Sequence, residues 1–247
     1  MAALLSKRFR VIRVHRRQYR LDLKRDPRVG SPCTVAQEVE DVLAIVTKVG
    51  GPVLIYGHSS GGTVALEALV VSPPSFAGGV ICEPALVIGP PHDRHFSGDA
   101  LPREGELGEG LRHARAALLD GKRGKAIGIA TGVIAGWPGW VADIGGRLTA
   151  LVPEYRRLIP CQIDDLEAME RLGPRLDAYS KIGVPTVLLH GDRTPASNRE
   201  MVAAVSRVMP SANYLVLHAQ GHTAHVRAPG QVAHVIQNLG DKVLRQQ

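Results

Sequence analysis

The segment Val53–Val71 constrains the fold of this chain more than any other. A continuous apolar run, Val53–Tyr56 (VLIY), leads directly into GHSSGG and then into Thr63–Val71, a helical pattern that ends before Ser72-Pro73-Pro74. An uninterrupted apolar run of this length suits a strand covered on both faces, as parallel sheets require. Gly57-His58-Ser59-Ser60-Gly61 matches G-x-S-x-G, and its position between a strand and a helix is what gives that motif meaning. A serine on so tight a turn is held in a strained conformation, with glycines on both sides leaving room, and its hydroxyl projects from the sheet's carboxyl edge. Ser59 is therefore the candidate nucleophile. Ser60 fits less well, because the residue two before it is His58 and not glycine. The bland alternatives are a Gly-rich turn that only caps a helix, or a phosphate-binding loop, which would need a Gly-Lys-Ser/Thr ending that is missing here.

The surrounding pattern alternates strands and helices. Phe9–His15 (FRVIRVH), Gly79–Cys82 (GVIC), Pro185–His190 (PTVLLH) and Tyr214–Leu217 (YLVL) read as further strands. Thr34-x-x-Gln37 and Ser197-x-x-Glu200 mark helix starts by their capping-box spacing, and Pro229 opens a last helix. This rhythm predicts an α/β fold with a mainly parallel sheet flanked by helices. Residues 84–175 break it, with helical patterns around 111–120, 126–136 and 163–171 and a polar Gly/Glu-rich stretch near 102–110. The expected organisation is a core of residues 1–83 and 176–247 with a helical cap inserted at 84–175. The uncharged stretch Ala126–Ala142 repeats glycine at 128, 132 and 136, the spacing that lets helix backbones approach closely. It is at the lower limit for spanning a bilayer, so a buried or pocket-lining helix is expected and no membrane span.

A serine hydroxyl needs a histidine base, itself oriented by a carboxylate. His222 follows the YLVL strand in Ala219-Gln220-Gly221-His222, ahead of its competitors His218 and His225. Asp192 follows PTVLLH directly, and Glu83 follows GVIC just before Pro84. Both acids would project from the edge of a parallel sheet where catalytic groups gather. Asp192 is the preferred partner and Glu83 its rival. His222-x-x-His225, and His92-x-x-His95 with Asp93, lack a convincing set of further metal ligands, so no metal and no cofactor is expected.

At this point the chain resembles the α/β-hydrolase superfamily, through GHSSGG at 57–62, LLHGD at 188–192 and QGHTAH at 220–225. The order Ser59, Asp192, His222 is that of the superfamily. The resemblance implies an acyl-enzyme route on a small ester-like substrate, with the Ser60 N–H as one oxyanion donor and Trp137 and Trp140 lining the pocket under the cap. Haloperoxidase-like perhydrolysis uses the same triad. Family members usually begin with additional strands and a His-Gly loop that supplies the second oxyanion donor, and neither precedes FRVIRVH here. The edge of VLIY then needs another partner: sequence upstream, the front strand shifted into the vacant slot, or another chain. A catalytically silent, hydrolase-like binding protein is the alternative function.

Charge adds a third possibility. The formal net charge is +7, and residues 1–30 carry ten Lys/Arg, among them Lys7, Arg8, Arg10, Arg13, Arg16, Arg17 and Arg20, against two Asp. Such a front can meet phosphates or an anionic surface. Without stacking aromatics or a nucleic-acid motif it reads as a solvated face, and no nucleic-acid partner is expected. Three widely spaced cysteines, Cys33, Cys82 and Cys161, indicate neither a disulfide framework nor a zinc knuckle, so a reducing, cytoplasmic setting is the default expectation. Nothing in the sequence speaks against a homo-oligomer.

Overall fold

A computed structural model describes residues 1–19, 32–88, 106–209 and 211–244. The elements are α1 (Ala2–Leu5), α2 (Val35–Val49), β1 (Val53–His58), α3 (Ser60–Val71), β2 (Phe76–Cys82), α4 (Glu106–Leu119), α5 (Arg123–Ala135) and α6 (Gly139–Leu151). They continue with α7 (Pro153–Leu172), α8 (Leu176–Tyr179), β3 (Thr186–Gly191), α9 (Ala196–Val208), β4 (Asn213–Leu217), α10 (Ala224–Arg227) and α11 (Pro229–Val243). Two compact units form: Met1–Val14, Val35–Leu86 and Arg175–Gln247 in the first, His15–Thr34 and Val87–Pro174 in the second.

The first unit is built on a four-stranded, all-parallel sheet in the order β1-β2-β3-β4. Side chains alternate across its faces. Val80, Cys82, Val187, Leu189 and Leu217 bury one face with Val232, Ala233, Ile236 and Leu239 of α11, while Ile81 and Leu188 point to the other, where α3 and α9 pack. β3 is buried along its whole length, which explains why PTVLLH lacks a polar alternation. Leu188 is fully buried, and truncating it to alanine would cost about 2–5 kcal/mol.

Phe9–His15 forms no strand, contrary to the sequence expectation. Residues 10–16 carry no sheet hydrogen bonding, and among the described residues β1 pairs only with β2. Phe9 and Val11 instead pack onto the α11 side of the core, with the Phe9 ring against Gly240, and Ile12 and Val14 face solvent. β-branched residues favour an extended backbone, but a ladder needs a partner edge in register, and hydrophobic burial of two side chains was satisfied without one. The front strand therefore does not occupy the slot beside β1.

The second unit is a helical layer around Leu111, Ala114, Leu118, Ile127, Ile159 and Ile163. The glycine repeat serves backbone contact between α5 and α6. A Cβ on Gly128 would stand 2.6 Å from the Ala142 carbonyl oxygen, and one on Gly146 would stand 2.1 Å from that of Gly124. Gly136 differs from its two predecessors: it ends α5 in the left-handed conformation. Gly146→Ala is expected to force α5 and α6 apart and destabilise the chain by about 3 kcal/mol, whereas Gly145→Ala, which meets open space, should be neutral or stabilising by up to about 1 kcal/mol. Urea midpoints of the two variants check this. No helix among the described residues is long and apolar enough to cross a membrane. Trp137 lines a depression of about 420 Å³ with Ile129, Val133 and Ala142, and Trp140 is exposed.

Two cations of the basic front are held in ion pairs. Arg8 forms a two-pronged ion pair with Asp241 in the first unit, and Arg16 pairs with Asp165 in the second, where Tyr19 also donates to Asp165 at 2.7 Å. Lys7, Arg10 and Arg13 are exposed. Arg20, residues 102–105 of the polar stretch and the His92, Asp93, His95 group lie outside the described residues. The three cysteines are buried and are not joined in disulfides.

Candidate active site

The parallel register brings the carboxyl ends of the strands level, with His58 opposite Cys82 and Cys82 opposite Leu189. The ladder runs one residue beyond each strand: the Ser59 amide donates to the Cys82 carbonyl at 3.0 Å, that of Glu83 to Leu189 at 2.9 Å, and that of Asp192 to Leu217 at 3.1 Å. Candidate residues that are distant in sequence thus emerge side by side.

Ser59 sits between β1 and α3 with φ 54° and ψ −130°. Positive φ at a non-glycine residue costs of the order of 1–3 kcal/mol and persists only where the surroundings over-determine it. Here the Ser59 carbonyl accepts from the amides of Gly62, Thr63 and Ala85, locking the turn. Gly57 is required by close approach, since a Cβ there would lie 2.3 Å from the Gly61 carbonyl oxygen, while a Cβ on Gly61 would meet nothing. Only the first glycine of the motif is sterically obligatory. Ser60 is buried and opens α3. Glu83 (φ 46°) and Ala219 (φ 58°) are the other non-glycine residues with positive φ among those described. All three follow strand ends on the same sheet edge, after β1, β2 and β4.

His222 does not meet Asp192. Its Nδ1–H donates to Glu83 Oε2 at 2.6 Å. The Glu83 carboxylate is fully buried, and its other oxygen accepts from Thr194 Oγ1 (2.6 Å) and the Gly191 amide (3.1 Å). Burial alone would raise its pKa, but hydrogen bonds from His222, Thr194 and Gly191 outweigh that and hold it below the ordinary carboxylate value. Glu83 is ionised at neutral pH. The amide of Asn198 lies 3.3 Å from the same ring nitrogen of His222. With Nδ1 protonated toward Glu83, Nε2 of neutral His222 carries the lone pair.

Asp192 is turned elsewhere. Its Oδ2 accepts from the Ala219 amide at 3.0 Å and lies 2.9 Å from His218 Nδ1, whose side chain is almost wholly exposed. The Ala219 hydrogen bond is the main reason its pKa is lowered. Asp192 braces the loop after β4 against the end of β3, and the expected Asp192–His222 pairing is replaced by Glu83–His222. The physical reason is the loop's path: Arg193 N–H donates to the Gln220 carbonyl at 2.7 Å, and Gly191, where a Cβ would lie 2.2 Å from that oxygen, lets the backbones close. His222 is thereby delivered over β2's end.

His58 is the variable residue of the motif, and its sequence position signals no role. Its Nε2–H donates to the His222 carbonyl at 2.7 Å, and its ring lies 4.6 Å from that of His222 and 4.0 Å from that of His225. Burial, with His222 and His225 alongside, lowers its pKa to about 3, so it is neutral and its Nε2 proton is fixed by the carbonyl acceptor. Burial lowers His225 as well, and its Nδ1 is buried without a hydrogen-bond partner among the described residues. Cys82 is no competing nucleophile, because burial raises its thiol to about 12. Among the described residues no group of three or more His, Cys, Asp or Glu is placed to hold a metal.

The comparisons with known proteins agree with this arrangement at the level of fold. An alpha/beta hydrolase from Sphaerobacter thermophilus superposes with a TM-score of 0.64 at 22% identity, covering 85% of this chain and 76% of its own. The enol-lactonase from Burkholderia xenovorans gives 0.64 at 18%, covering 96% and 83%. The 2-hydroxy-6-oxo-6-phenylhexa-2,4-dienoate hydrolase from Rhodococcus gives 0.54 at 19%, covering 83% and 70%. No curated protein matches the chain. The profile of the alpha/beta hydrolase family matches residues 1–235, and with the strand-turn-helix at Ser59 standing on a parallel sheet, the chain belongs to that family.

Proposed function

We propose that the chain is a serine hydrolase that cleaves a small ester-like substrate through an acyl-enzyme, with Ser59 as nucleophile, His222 as base and Glu83 as the orienting acid. The observation that carries this reading is the 2.6 Å hydrogen bond between His222 and the buried, ionised Glu83. It replaces Asp192, which serves the loop. The ester class follows from the chemistry of a strained serine on the same sheet edge as a histidine-carboxylate pair; the enol-lactonase likeness suggests a lactone as a first substrate to try.

Ser59 Oγ attacks the carbonyl carbon while its proton passes to His222 Nε2. The imidazolium formed is stabilised by Glu83. The oxyanion forms at the N-terminus of α3, where the Ser60 N–H is the assigned donor. His222 then returns its proton to the departing alkoxide as the C–O bond breaks, leaving the acyl-Ser59 ester. Water, deprotonated by His222, attacks that ester and releases the carboxylic acid and free Ser59.

A fluorophosphonate probe tests the reading. The wild type is expected to be labelled stoichiometrically and Ser59→Ala not at all, with unchanged circular dichroism. A folded wild type that resists the probe and gives no burst of product from activated esters would instead support a ligand-binding protein.

A further inference from the structure

We propose that the helical unit docks on an anionic lipid surface through an apolar ridge on α6 bordered by a basic depression. Trp140, Ile144, Leu148 and Leu151 recur at spacings of three or four, so they share one stripe of the helix, and Trp137 lies just before it. Their exposures lie between 46% and 75%, which leaves large apolar side chains facing water along a helix of thirteen residues, roughly 20 Å long. Isolated exposed leucines are ordinary, but an aligned series is not. The opposite face of α6, at Ala142 and Gly146, is spent on contact with α5.

Charge beside the ridge identifies the occupant. An open depression of about 490 Å³ is lined by Lys122, Arg123, Lys125, Arg147 and Arg156, and by Leu151 of the ridge itself. Lys122 is paired with Asp120 and Arg147 with Asp143, while Arg123, Lys125 and Arg156 have no carboxylate partner among the described residues. An amphipathic helix with aromatic and aliphatic residues on one side and Lys/Arg on its flank is the pattern that lies in a bilayer interface, its apolar stripe among the acyl chains and its cations at the phosphates. Tryptophan favours that boundary because its ring is apolar and its N–H polar. A second copy fits less well: a two-fold contact over the ridge would set the same cations against themselves.

Trp140 stands on this ridge and Trp137, also exposed, lies two residues before α6, so tryptophan emission reports on it. The full chain would be mixed with phosphatidylcholine vesicles with and without about 30% phosphatidylglycerol, and followed by tryptophan emission and flotation. A blue shift and co-flotation with the anionic vesicles are expected, with partitioning at least about tenfold weaker on neutral vesicles or at high salt. Ile144→Glu with Leu148→Glu should reduce partitioning about tenfold or more, and Lys125→Gln with Arg156→Gln about tenfold. If the wild type fails to bind, the proposal falls. It also falls if the ridge variant binds as well as wild type, which would locate binding elsewhere, or if inorganic phosphate alone reproduces the shift. Chromatography supplies the last outcome: a dimer that the ridge variant converts to monomer, without vesicle binding, would assign the ridge to a second copy. None of these outcomes depends on esterase activity.

Discussion

Glu83→Gln is expected to lower kcat/KM on an activated ester about 10⁴-fold, while Asp192→Asn should change it less than about threefold. The asymmetry follows from hydrogen-bond direction. Thr194 Oγ1 and the Gly191 amide both donate to Glu83 Oε1, so a glutamine at this position would place its carbonyl oxygen there and turn its NH2 toward His222. That group donates where Glu83 accepts. His222 Nδ1 would then have to accept, its proton would move to Nε2, and the lone pair that receives the serine proton would be lost. Steady-state kinetics on both variants, with circular dichroism to confirm folding, decide the matter. Equal, small effects of the two substitutions would remove Glu83 from the proposed triad, and a collapse confined to Asp192→Asn would restore the acid the motif order suggested.

Folding stability should fall steeply in mild acid, and His58 should be the main cause. In the folded chain it resists protonation down to about pH 3, whereas in the unfolded chain it takes up a proton near pH 6.5. Between those limits the unfolded state binds more protons, so stability declines as pH falls: about 2 kcal/mol between pH 7 and pH 5, and about 4 kcal/mol by pH 3. His225 acts in the same direction. Glu83 behaves oppositely in range: its folded pKa is lowered, so its contribution is complete above the ordinary carboxylate value near 4.3 and is lost as pH falls through the depressed folded value. A loss seen between pH 7 and pH 5 therefore belongs to the histidines. Urea midpoints across this range should show the slope in wild type and a clearly shallower one in His58→Gln. An unchanged slope would mean that the buried ring is not what couples stability to pH.

Local elements were legible from the residues because their signals are local. VLIY-GHSSGG specifies strand, turn and helix within one stretch, and Thr34, Pro229 and the apolar runs mark their elements to within a few residues of where α2, α11 and the strands lie. α6 leaves no clear signal in the sequence, because glycines and exposed apolar residues blur its period. FRVIRVH has the β-branched content, pattern and length of a strand, yet a strand exists only with a partner, and the pairing is a property of the sheet.

The choice of acid shows the same division. Sequence determined that a serine at a strained turn, a histidine after the last strand and two acids at strand ends would share one edge of a parallel sheet. It could rank Asp192 above Glu83 only by order along the chain. Which carboxylate meets His222 was decided by the path of the 218–222 loop, pulled against β3 by the Arg193–Gln220 and Asp192–Ala219 hydrogen bonds, and by the left-handed backbone at Glu83. Those contacts join residues more than twenty positions apart, or more than a hundred for Glu83 and His222, and periodicity or spacing carries no information about them. His58 is the sharpest instance: an unspecified position in the motif becomes the donor that fixes the His222 backbone only once β1 and the loop after β4 are side by side.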